Sequence, residues 1–560
     1  MVQVDSGELV VRTLADNGVK YLFCINGGHL FPILAHLREH DIKLIHMRHE
    51  QATAYAADGW ARTTATPGVC AVTAGCGLTN AVTGLCVAGL TGSAVVCISG
   101  QHPTTEDSIG SFQEAYGADV CASFSKWTKR TLDHRTVATD VREAFRQATM
   151  PPQGVTVIEI PQNILYRSDE ETEQRGGAHL IDADALRAQG DPKQIERAVE
   201  LLARAERPLL VAGDGVFWSG AAAELRELAE LTNTPVYARR AGQGAVPEDH
   251  PLSVRGAFKK PFTGRADVVV TFGFRFWSGE HFGEPPTWSG DATYVQVDAS
   301  PERIGRNVRA DVPIVGDPKL VLLQMIGAAK AMDFSSRESS PWLDEVAEAR
   351  RNFEDMIAAR ARDNEDTVPV HPDRVLRDLV GAIDDDATMV VDSFTLSGYV
   401  SHWFKSRFPG QLLDAGPLAP VGHGVGMAIG AQLARPGKQV VAVIGDGGIG
   451  IGGFDMETAA RYDLPVCVVL WNNSSWGPSF ESMPLLKDRT DPFNMLQDIR
   501  YDRIFAEMGC YGEHVEKPDE FAPALKRALE SGKPSVVNVI GDKRIGHPTL
   551  GGNLLGSTRA

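Results

Sequence analysis

Residues 440–448 read VVAVIGDGG and residues 465–473 read PVCVVLWNN, and these two stretches decide the fold. Each begins as an apolar run rich in β-branched residues, which predicts a buried strand, and residues 455–461 between them have helical character. The pattern predicts a βαβ unit with parallel strands. Asp446 and Asn473 then lie just beyond the two strands, at the edge where α/β sheets bind their ligands.

The polar groups at this edge suit a divalent cation. Asp446 offers a carboxylate and Asn473 an amide oxygen, and the main-chain carbonyl of Ser475 would complete a set of hard oxygen ligands for Mg²⁺. Glycines let main-chain N–H groups approach a diphosphate closely. The glycines of this stretch are Gly445, Gly447 and Gly448. The direct interpretation is a metal-bridged diphosphate site, and the alternative is an ordinary Gly-Asp-Gly turn followed by an Asn-Asn loop.

The order and spacing of Asp446 and Asn473 resemble the GDG…NN signature of thiamine-diphosphate enzymes. The resemblance implies that thiamine diphosphate is the cofactor and that Mg²⁺ links it to Asp446, Asn473 and Ser475. In this family the first domain of one subunit and the third domain of another build each active site together. The resemblance therefore also implies a homodimer or homotetramer with active sites between subunits.

Composition sets limits on partners and location. The 560 residues suffice for roughly three domains. A net charge of −17 argues against nucleic acid as a partner. The eight cysteines form no C-x-x-C pair and mostly lie in apolar runs, which favours free thiols in a reducing compartment. No signal peptide and no apolar stretch of membrane-spanning length are visible, so we expect a soluble cytoplasmic protein without a membrane partner.

Short apolar runs alternate with helical patterns through most of the chain. We therefore predict an α/β fold of three doubly wound, mainly parallel-sheet domains. The predicted ranges are 1–180 for an N-terminal pyrimidine-binding domain, 190–345 for a central Rossmann-like domain, and 365–560 for a C-terminal domain that binds diphosphate and Mg²⁺ and ends in a tail.

Glu50 stands in the segment RHEQATAYAADGWAR, residues 48–62. This segment resembles the one that supplies the activating glutamate in thiamine-diphosphate enzymes. The resemblance implies that Glu50 is catalytic: it hydrogen-bonds the pyrimidine ring of the cofactor and promotes loss of the thiazolium proton. The alternative is a solvated acid at a helix start, which favours the helix dipole.

Two further segments resemble the cofactor surroundings of the family. Residues 74–80 read AGCGLTN, with Cys76 where the family commonly has proline. Residues 112–114 read FQE. The resemblance implies that Gly75 and Asn80 contact the cofactor, that Gln113 is a catalytic neighbour, and that Phe112 lines the substrate pocket.

His29 follows the predicted strand 21–25, at the exit that faces the reacting substrate in this family. As a catalytic residue, its imidazole would donate or accept a proton near neutral pH. The alternative is a loop histidine satisfied by the backbone. The sequence leaves both roles open.

The central domain contains the turn Gly213-Asp214-Gly215 after a predicted strand. The turn lacks the full G-x-G-x-x-G pattern, so a tight strand-to-helix turn is the simpler interpretation. Family members use this domain for a flavin, for a nucleotide such as ADP, or only for structure. The sequence does not choose between them.

Three pieces of the central domain narrow the resemblance. They are GFRF at 273–276, HFGEPP at 281–286 and QVD at 296–298. They resemble the pattern of 2-hydroxyacyl-CoA lyases and oxalyl-CoA decarboxylases, which implies an acyl-CoA substrate. Lys259 and Lys260 stand where those relatives place a basic residue on the CoA phosphates. The alternative is a solvated basic loop.

In the third domain, residues 416–426 resemble the glycine-rich loop that binds the pyrimidine and bends the cofactor. Val421 takes the place of the methionine that the family usually has, so an apolar wedge remains. The residues implied in cofactor contact are Val421, Gly422, His423 and Gly424.

Beyond Asn473 the sequence departs from the acyl-CoA relatives, which usually have a Gly-Gly pair and tyrosines there. Trp476 is expected to contact the substrate. Glu481 either anchors a substrate hydroxyl, as a further catalytic residue, or is an exposed acid at a helix start. The tail from His547 onward either closes over CoA as a lid or is a frayed terminus.

The resemblance implies a carbon–carbon lyase that cleaves a 2-hydroxyacyl-CoA to formyl-CoA and an aldehyde or ketone. The altered segment around Glu481 favours a short branched substrate such as 2-hydroxyisobutyryl-CoA, which would give acetone. One alternative is oxalyl-CoA decarboxylase, and another is a carboligase of the acetolactate-synthase type with a flavin. A non-catalytic relative is disfavoured because Glu50, Asp446 and Asn473 are all present.

Overall fold

The computed structural model describes residues 3–170, 183–332, 334, 340–477, 493–497, 499–546 and 548. Within these residues the chain forms three six-stranded parallel sheets with helices between the strands. The predicted α/β fold class is confirmed. Each sheet lies inside one of the predicted domain ranges, while the boundaries themselves stay a prediction.

The first sheet belongs to the N-terminal domain. Its strands and their short partners are β1 (Gln3–Asp5), β2 (Tyr21–Cys24), β3 (Lys43–His46), β4 (Gly68–Val72), β5 (Val95–Gln101), β6 (Trp127–Arg130), β7 (Val155–Pro161) and β8 (Ser168–Glu170). The helices are α1 (Ser6–Asp16), α2 (Phe31–His36), α3 (Glu50–Thr64), α4 (Cys76–Thr91), α5 (Gly117–Cys121), α6 (Val137–Thr149) and α7 (Gln162–Leu165). The sheet order is β3-β2-β4-β5-β7-β6, and β1 pairs separately with β8. The exits of β2, β3 and β4 therefore lie side by side.

The second sheet belongs to the central domain. Its strands are β9 (Pro208–Ala212), β10 (Val236–Ala238), β11 (Ser253–Val254), β12 (Val268–Phe272), β13 (Thr293–Asp298) and β14 (Val312–Val315), in the order β11-β10-β9-β12-β13-β14. The helices are α8 (Pro192–Arg204), α9 (Asp214–Trp218), α10 (Ala222–Thr232), α11 (Lys260–Thr263) and α12 (Pro318–Ala329). The long helix α13 (Pro341–Asp363) leads to the last domain.

The third sheet belongs to the C-terminal domain. Its strands are β15 (Thr388–Val391), β16 (Leu412–Asp414), β17 (Val440–Gly445), β18 (Val466–Asn472), β19 (Tyr511–Val515) and β20 (Ser535–Ile540), in the order β16-β15-β17-β18-β20-β19. The helices are α14 (Pro372–Ala382), α15 (Ser397–Trp403), α16 (Gly424–Ala434), α17 (Asp446–Gly452), α18 (Met456–Arg461), α19 (Tyr501–Ala506) and α20 (Pro518–Glu530).

The central strands of each sheet are buried on both faces, which explains their continuous apolar runs. Every residue of β5, β17 and β18 is buried. Alternate residues of β17 enter different cores: Ala442 and Ile444 join one cluster, and Val441 and Val443 join another. This is the two-residue period expected of a pleated strand between two helical layers.

The N-terminal and C-terminal domains share one apolar core through α3 and α16. A Cβ atom added to Gly59 would lie 2.2 Å from the carbonyl oxygen of Met427, and one added to Gly430 would lie 2.0 Å from that of Ala56. The two helices therefore pack backbone to backbone, which only glycine allows at these positions. This contact fixes the helix that begins with Glu50 against the domain that contains Asp446.

A search for a membrane-spanning helix among the described residues finds none of sufficient length and apolar character.

Candidate active site

The two strand exits that carry the GDG and NN motifs lie side by side. β17 and β18 are parallel neighbours, with Gly445 opposite Trp471. Asp446 begins α17 directly after β17, and Asn473 follows β18 directly. Both residues and Ser475 are buried. The structure thus brings together the three residues predicted to hold Mg²⁺.

Main-chain amides surround the oxygen atoms of this edge. Asp446 Oδ1 accepts a hydrogen bond from the amide of Gly447 at 3.0 Å, and the amides of Ser475 and Ser474 also approach the carboxylate. Asn473 Oδ1 accepts a hydrogen bond from the amide of Ser475 at 3.2 Å. Burial raises the pKa of Asp446 to about 6, and the amides offset this only in part. A buried carboxylate held mainly by amides favours a cation beside it.

The donor set fits a metal that a diphosphate also ligates. One carboxylate, one amide oxygen and one main-chain carbonyl leave positions for water and phosphate oxygens, as Mg²⁺ prefers. Among the described residues, no group of three or more His, Cys, Asp or Glu side chains is placed to hold a metal. A metal at Asp446 would therefore take the rest of its ligands from the main chain, water and the cofactor.

We expect Asp446→Asn to stabilise the protein when the cofactor is absent. Folding raises the pKa of Asp446 from 3.8 to about 6, so the folded state is favoured while this carboxyl is protonated, and that advantage is lost as pH rises through about 6. At about pH 8 the ionised carboxylate costs about 3 kcal/mol, a cost that the neutral amide avoids. The apparent melting temperature of the apoprotein should rise at about pH 8, and the two proteins should converge near about pH 4. A lower melting temperature for the variant at about pH 8 would contradict this account of the site.

The glycines of the GDG stretch are closely packed against side chains. A Cβ atom on Gly447 would lie 2.8 Å from the ring of Trp476, and one on Gly448 would lie 3.0 Å from Ile444. Gly445 faces the ring of Phe394 in the same way, at 3.1 Å. Trp476 is partly exposed and covers the start of α17. It is thereby placed beside the predicted diphosphate site, while its contact with substrate stays a prediction.

Asp392, directly after β15, holds the glycine-rich loop. Its buried carboxylate accepts hydrogen bonds from the amides of Gly422 and Gly424, each at 2.9 Å, and His423 Nδ1 lies 3.5 Å from the same group. Burial acts to raise the pKa of Asp392, but His423 and the two amides outweigh it, so the pKa lies below its usual range. Burial acts to lower the pKa of His423, but Asp392 raises it further, so the net shift is upward. The buried carboxylate of Asp392 therefore fixes this loop.

The same loop packs closely against α17. Gly422 has a φ of 90°, and a Cβ atom there would lie 2.7 Å from Ile451. A Cβ atom on Gly452 would lie 2.1 Å from the carbonyl oxygen of Gly422. Val421 is half-buried next to this contact. The loop thus lies next to the helix that begins with Asp446, and its contact with the cofactor stays a prediction.

A second cluster of predicted residues lies on the N-terminal domain. Glu50 is half-buried at the start of α3, and Asn80 Nδ2 donates a hydrogen bond to its Oε2 at 3.1 Å. Gly75 has a φ of 57°, and a Cβ atom there would lie 2.5 Å from the carbonyl oxygen of Gln113. Gln113 Nε2 donates to Cys76 Sγ at 3.3 Å. A turn is therefore present at Gly75 although Cys76 takes the place of proline, and it joins Gln113 to the cluster.

Phe112 projects away from this cluster, with 79% of its surface exposed. Its role in lining a substrate pocket stays a prediction. The carboxylate of Glu50 accepts a hydrogen bond from Asn80. No hydrogen bond between described residues connects this carboxylate to Asp446 or Asn473. The hydrogen bonds between described residues therefore do not join the two predicted halves of the active site.

His29 is buried directly after the exit of β2. Its Nδ1 lies 3.1 Å from the Thr73 hydroxyl, and Gly100 packs against its Cβ. Burial and the nearby His102 lower the pKa of His29, so the imidazole is neutral at neutral pH. One ring nitrogen is thus satisfied by the Thr73 hydroxyl and not by the backbone partner that was expected for a loop histidine. Its catalytic role stays a prediction.

A cavity of about 1320 Å³ lies between the central and C-terminal domains. Its wall includes Arg239, Lys259, Trp277 and Phe282 from the first and Ser393, Asp414 and Gly416 from the second. It therefore extends from the segment that resembles acyl-CoA enzymes to the start of the cofactor loop.

The two lysines predicted to bind CoA phosphates differ in their surroundings. The ammonium group of Lys259 pairs with the fully buried carboxylate of Glu280 and lies 2.9 Å from the hydroxyl of Tyr237. Lys260 is exposed at the start of α11. Sequence reasoning missed Glu280, because nothing in the local pattern shows that these two residues meet. The positive charge of Lys259 is already compensated, so Lys260 is the better placed of the two for a phosphate.

The Gly213-Asp214-Gly215 turn is explained by packing inside the central domain. A Cβ atom on Gly213 would lie 2.2 Å from the carbonyl oxygen of Gly273, and Asp214 pairs with Arg275 at 2.7 Å. The glycines are thus needed for contact between two backbones. A nucleotide or flavin at this turn stays a prediction.

Two predictions fall outside the described residues. Glu481 lies in the range 478–492, and most of the tail from residue 547 onward is likewise not described.

Comparisons with known proteins agree with the three-domain arrangement. The family models that match are the thiamine pyrophosphate enzyme N-terminal TPP binding domain at residues 4–122, the central domain at 195–325 and the C-terminal TPP binding domain at 395–539. The fold and the site thus define a cofactor-dependent enzyme of the thiamine pyrophosphate class. This chain belongs to the thiamine pyrophosphate enzyme family.

Relatives with two different names are similar to this chain along nearly its whole length. A Mycobacterium bovis protein named "Probable acetolactate synthase" is 33% identical over 548 residues, covering 97% of each chain. The "2-hydroxyacyl-CoA lyase" of Oryza sativa subsp. japonica is 32% identical over 568 residues, covering 97% of this chain and 96% of the relative. The "2-hydroxyacyl-CoA lyase" of Arabidopsis thaliana is 31% identical over 556 residues, covering 96% of each. These similarities confirm the predicted family, and the substrate is a separate question.

Proposed function

We propose that the protein is a Mg²⁺-dependent thiamine-diphosphate lyase that cleaves a 2-hydroxyacyl-CoA. The bond between the hydroxylated carbon and the thioester carbon breaks. The hydroxylated carbon loses its hydroxyl proton and leaves as an aldehyde or ketone, and the thioester carbon takes up a proton to give formyl-CoA. A short branched substrate such as 2-hydroxyisobutyryl-CoA would give acetone.

The cavity of about 1320 Å³ is the observation that carries this proposal. Small-molecule sites usually measure about 300–1,000 Å³, so the space suits an extended ligand such as a CoA thioester. Its wall includes residues 414–416, next to the cofactor loop. It also includes Trp277 and Phe282, in the segment that resembles acyl-CoA enzymes. Exposed Lys260, next in sequence to the cavity residue Lys259, would meet the CoA phosphates.

The residues of this chain would have separate roles in the reaction. Bound thiamine diphosphate would supply the carbanion and the electron sink. Asp446, Asn473 and the carbonyl of Ser475 would hold Mg²⁺, and the loop that Asp392 fixes would hold the pyrimidine. Glu50 would hold a proton at the pyrimidine ring, oriented by Asn80, which donates to its carboxylate at 3.1 Å.

Two other reactions remain as alternatives with distinct products. The acetolactate synthase names among the relatives favour a carboligase that joins two pyruvate molecules with loss of one CO₂, and it would keep a flavin in the central domain. Oxalyl-CoA decarboxylase would use the same CoA cavity and release CO₂. The lyase proposal also includes a nucleotide such as ADP in the central domain. It further includes a cytoplasmic location, which the free cysteines support.

A product assay separates these reactions. The purified protein is incubated with Mg²⁺, thiamine diphosphate and, in turn, 2-hydroxyisobutyryl-CoA, oxalyl-CoA and pyruvate. Formyl-CoA with acetone supports the proposal, and Glu50→Gln is the matched inactive control. Acetolactate formed from pyruvate would instead support the carboligase. Formyl-CoA and CO₂ formed from oxalyl-CoA, with no product from the hydroxyacyl-CoA, would instead support oxalyl-CoA decarboxylase. A yellow, flavin-containing protein would favour the carboligase.

We also propose that a second copy of this chain completes each active site. Large apolar side chains are exposed beside both halves of the site: Ile109 (74%) and Phe112 (79%) near Gln113, and Ile451 (51%) and Phe454 (60%) on and after α17. Exposed apolar groups of this size mark interaction surfaces. A two-fold partner would cover both groups and place Glu50 of one subunit opposite Asp446 of the other.

Phe454→Asp should shift the protein from dimer or tetramer to monomer. The substitution places a charge in the proposed apolar contact, where burial without a partner is costly. Light scattering after size-exclusion chromatography measures the mass, and Leu323→Asp, at an exposed apolar residue (47%) of α12 in the central domain, is the control. A wild-type protein that is monomeric with cofactor bound and is fully active would contradict the shared site.

A further inference from the structure

The main chain that leads into Glu50 is held by the C-terminal domain. Residues His46, Met47 and Arg48, here called the lead-in segment, connect β3 to the first turn of α3. His49 caps that helix, with its Nδ1 accepting from the amide of Gln51 at 3.1 Å. Only one residue separates the lead-in segment from Glu50, so the direction of its backbone sets where the Glu50 carboxylate points.

Three hydrogen bonds reach the backbone of the lead-in segment from residues 455–462 of the C-terminal domain. The amide of Arg48 donates to Asp455 Oδ1 at 2.9 Å. The amide of His46 donates to the hydroxyl of Tyr462 at 2.9 Å, and Arg461 Nη2 donates to the carbonyl oxygen of His46 at 2.6 Å. The partners are more than 400 residues away in sequence, so these bonds are tertiary and not part of a local turn.

Burial and a second hydrogen bond hold the Asp455 side chain in place. It is buried, and Thr458 Oγ1 donates to the same oxygen, Oδ1, at 3.2 Å. Burial raises the pKa of Asp455 to about 6, while the Arg48 amide acts in the opposite direction. Burying a carboxylate costs free energy, and one hydrogen bond to a main-chain amide offsets only part of that cost. The burial of Asp455 is therefore not explained by local stability alone.

The lead-in segment also contacts the turn that carries His29. Nε2 of His46 lies 2.8 Å from Asn26 Oδ1. The amide of Met47 donates to the carbonyl oxygen of Cys24 at 2.9 Å. Both contacts bind it to the exit of β2. The position of Glu50 and that of the Asn26–His29 turn therefore depend on the same three residues.

We propose that Asp455 and Tyr462 are positioning residues for Glu50. They act through the backbone of the lead-in segment and hold the first turn of α3 so that the Glu50 carboxylate meets the pyrimidine ring of the cofactor. Asn80 orients the carboxylate from the other side. This inference rests on the proposed role of Glu50 and is independent of which substrate the enzyme cleaves.

The test measures proton loss from the cofactor without any substrate. The holoenzyme is mixed with D₂O and quenched in acid, and NMR gives the rate at which the thiazolium C2 proton exchanges. We expect Asp455→Ala and Tyr462→Phe each to slow this exchange about tenfold, the effect of losing one hydrogen bond that orients a reacting group. Cofactor affinity, measured by calorimetry, should change by less than about threefold, because neither side chain contacts the diphosphate edge.

Two variants serve as controls. Asp455→Asn keeps an acceptor oxygen for the Arg48 amide and should exchange within about threefold of wild type. Tyr511→Phe removes a hydroxyl that donates to Glu513 at 2.7 Å, away from the lead-in segment, and should not change the rate. In the apoprotein, amide hydrogen exchange of a peptide covering residues 46–50 should become faster in Asp455→Ala and stay unchanged in Tyr511→Phe.

Unchanged C2 exchange in both Asp455→Ala and Tyr462→Phe would overturn the proposal, as would equal slowing in Tyr511→Phe. If Asp455→Ala does not fold, Tyr462→Phe decides, since it removes a single oxygen atom. If Glu50→Gln itself leaves C2 exchange unchanged, the proposed role of Glu50 fails. If Glu50→Gln slows exchange while the other two variants do not, only the present inference fails.

Discussion

Replacing Glu50 by glutamine should lower the turnover number by roughly 10²–10⁴-fold, the usual contribution of general acid–base catalysis. Glutamine has nearly the same shape, and it still accepts the hydrogen bond that Asn80 Nδ2 now donates at 3.1 Å. It does not exchange the proton that the pyrimidine ring requires. Steady-state kinetics on the acyl-CoA substrate, with the C2 exchange rate in parallel, measures the loss.

The fold should not change in Glu50→Gln. Glu50 is only half-buried, and its side chain contributes no contact to the shared core of α3 and α16. Circular dichroism and the melting temperature of the apoprotein should therefore match wild type. Turnover within about threefold of wild type, in a protein that is fully loaded with cofactor, would refute the assignment of Glu50.

Removing either oxygen ligand at the strand exits should abolish tight cofactor binding. We expect Asp446→Ala and Asn473→Ala each to weaken the affinity for Mg²⁺ and thiamine diphosphate by at least about 100-fold, since even changes outside the ligand shell of a metal cost about 10–100-fold. Calorimetric titration of the apoprotein measures the change. The effect should be larger for Asp446, because it supplies the one carboxylate charge of the predicted ligand set.

The matched control for these variants is Asp455→Asn. Asp455 is a buried carboxylate of the same domain, nine positions beyond Asp446, and burial raises its pKa to the same value of about 6. Its carboxylate accepts from the Arg48 amide and the Thr458 hydroxyl and has no hydrogen bond to Asp446 or Asn473 among the described residues, so Asp455→Asn should leave the cofactor affinity unchanged. Tight Mg²⁺-dependent binding that survives Asp446→Ala would show that the diphosphate lies elsewhere.

The sheet edge that holds the candidate metal site was predictable because its geometry follows from neighbouring strands. Two buried runs separated by one helical connection pair in parallel, and the residues after them must then share an edge. Asp446 and Asn473 needed no further information. Glu50 was found differently, from the resemblance of its surrounding segment to a known family, and the hydrogen bond from Asn80 was not foreseen.

The missed residues are those whose partners are set by the tertiary fold. Asp392 follows β15 directly, just as Asp446 follows β17, yet its partners Gly422 and Gly424 lie 30 and 32 positions further on. Glu280 meets Lys259 only because the loop after β12 folds over β10. Strand patterns define the exits, but they do not say which side chains of different loops meet there.

Calorimetric titration of thiamine diphosphate into the apoprotein, with and without Mg²⁺, tests the central claim most directly. We predict saturable binding of one cofactor per chain that requires the divalent ion and is lost in Asp446→Ala. Absence of binding under both conditions, or equal binding by wild type and Asp446→Ala, would contradict the placement of a Mg²⁺-held diphosphate at the exits of β17 and β18.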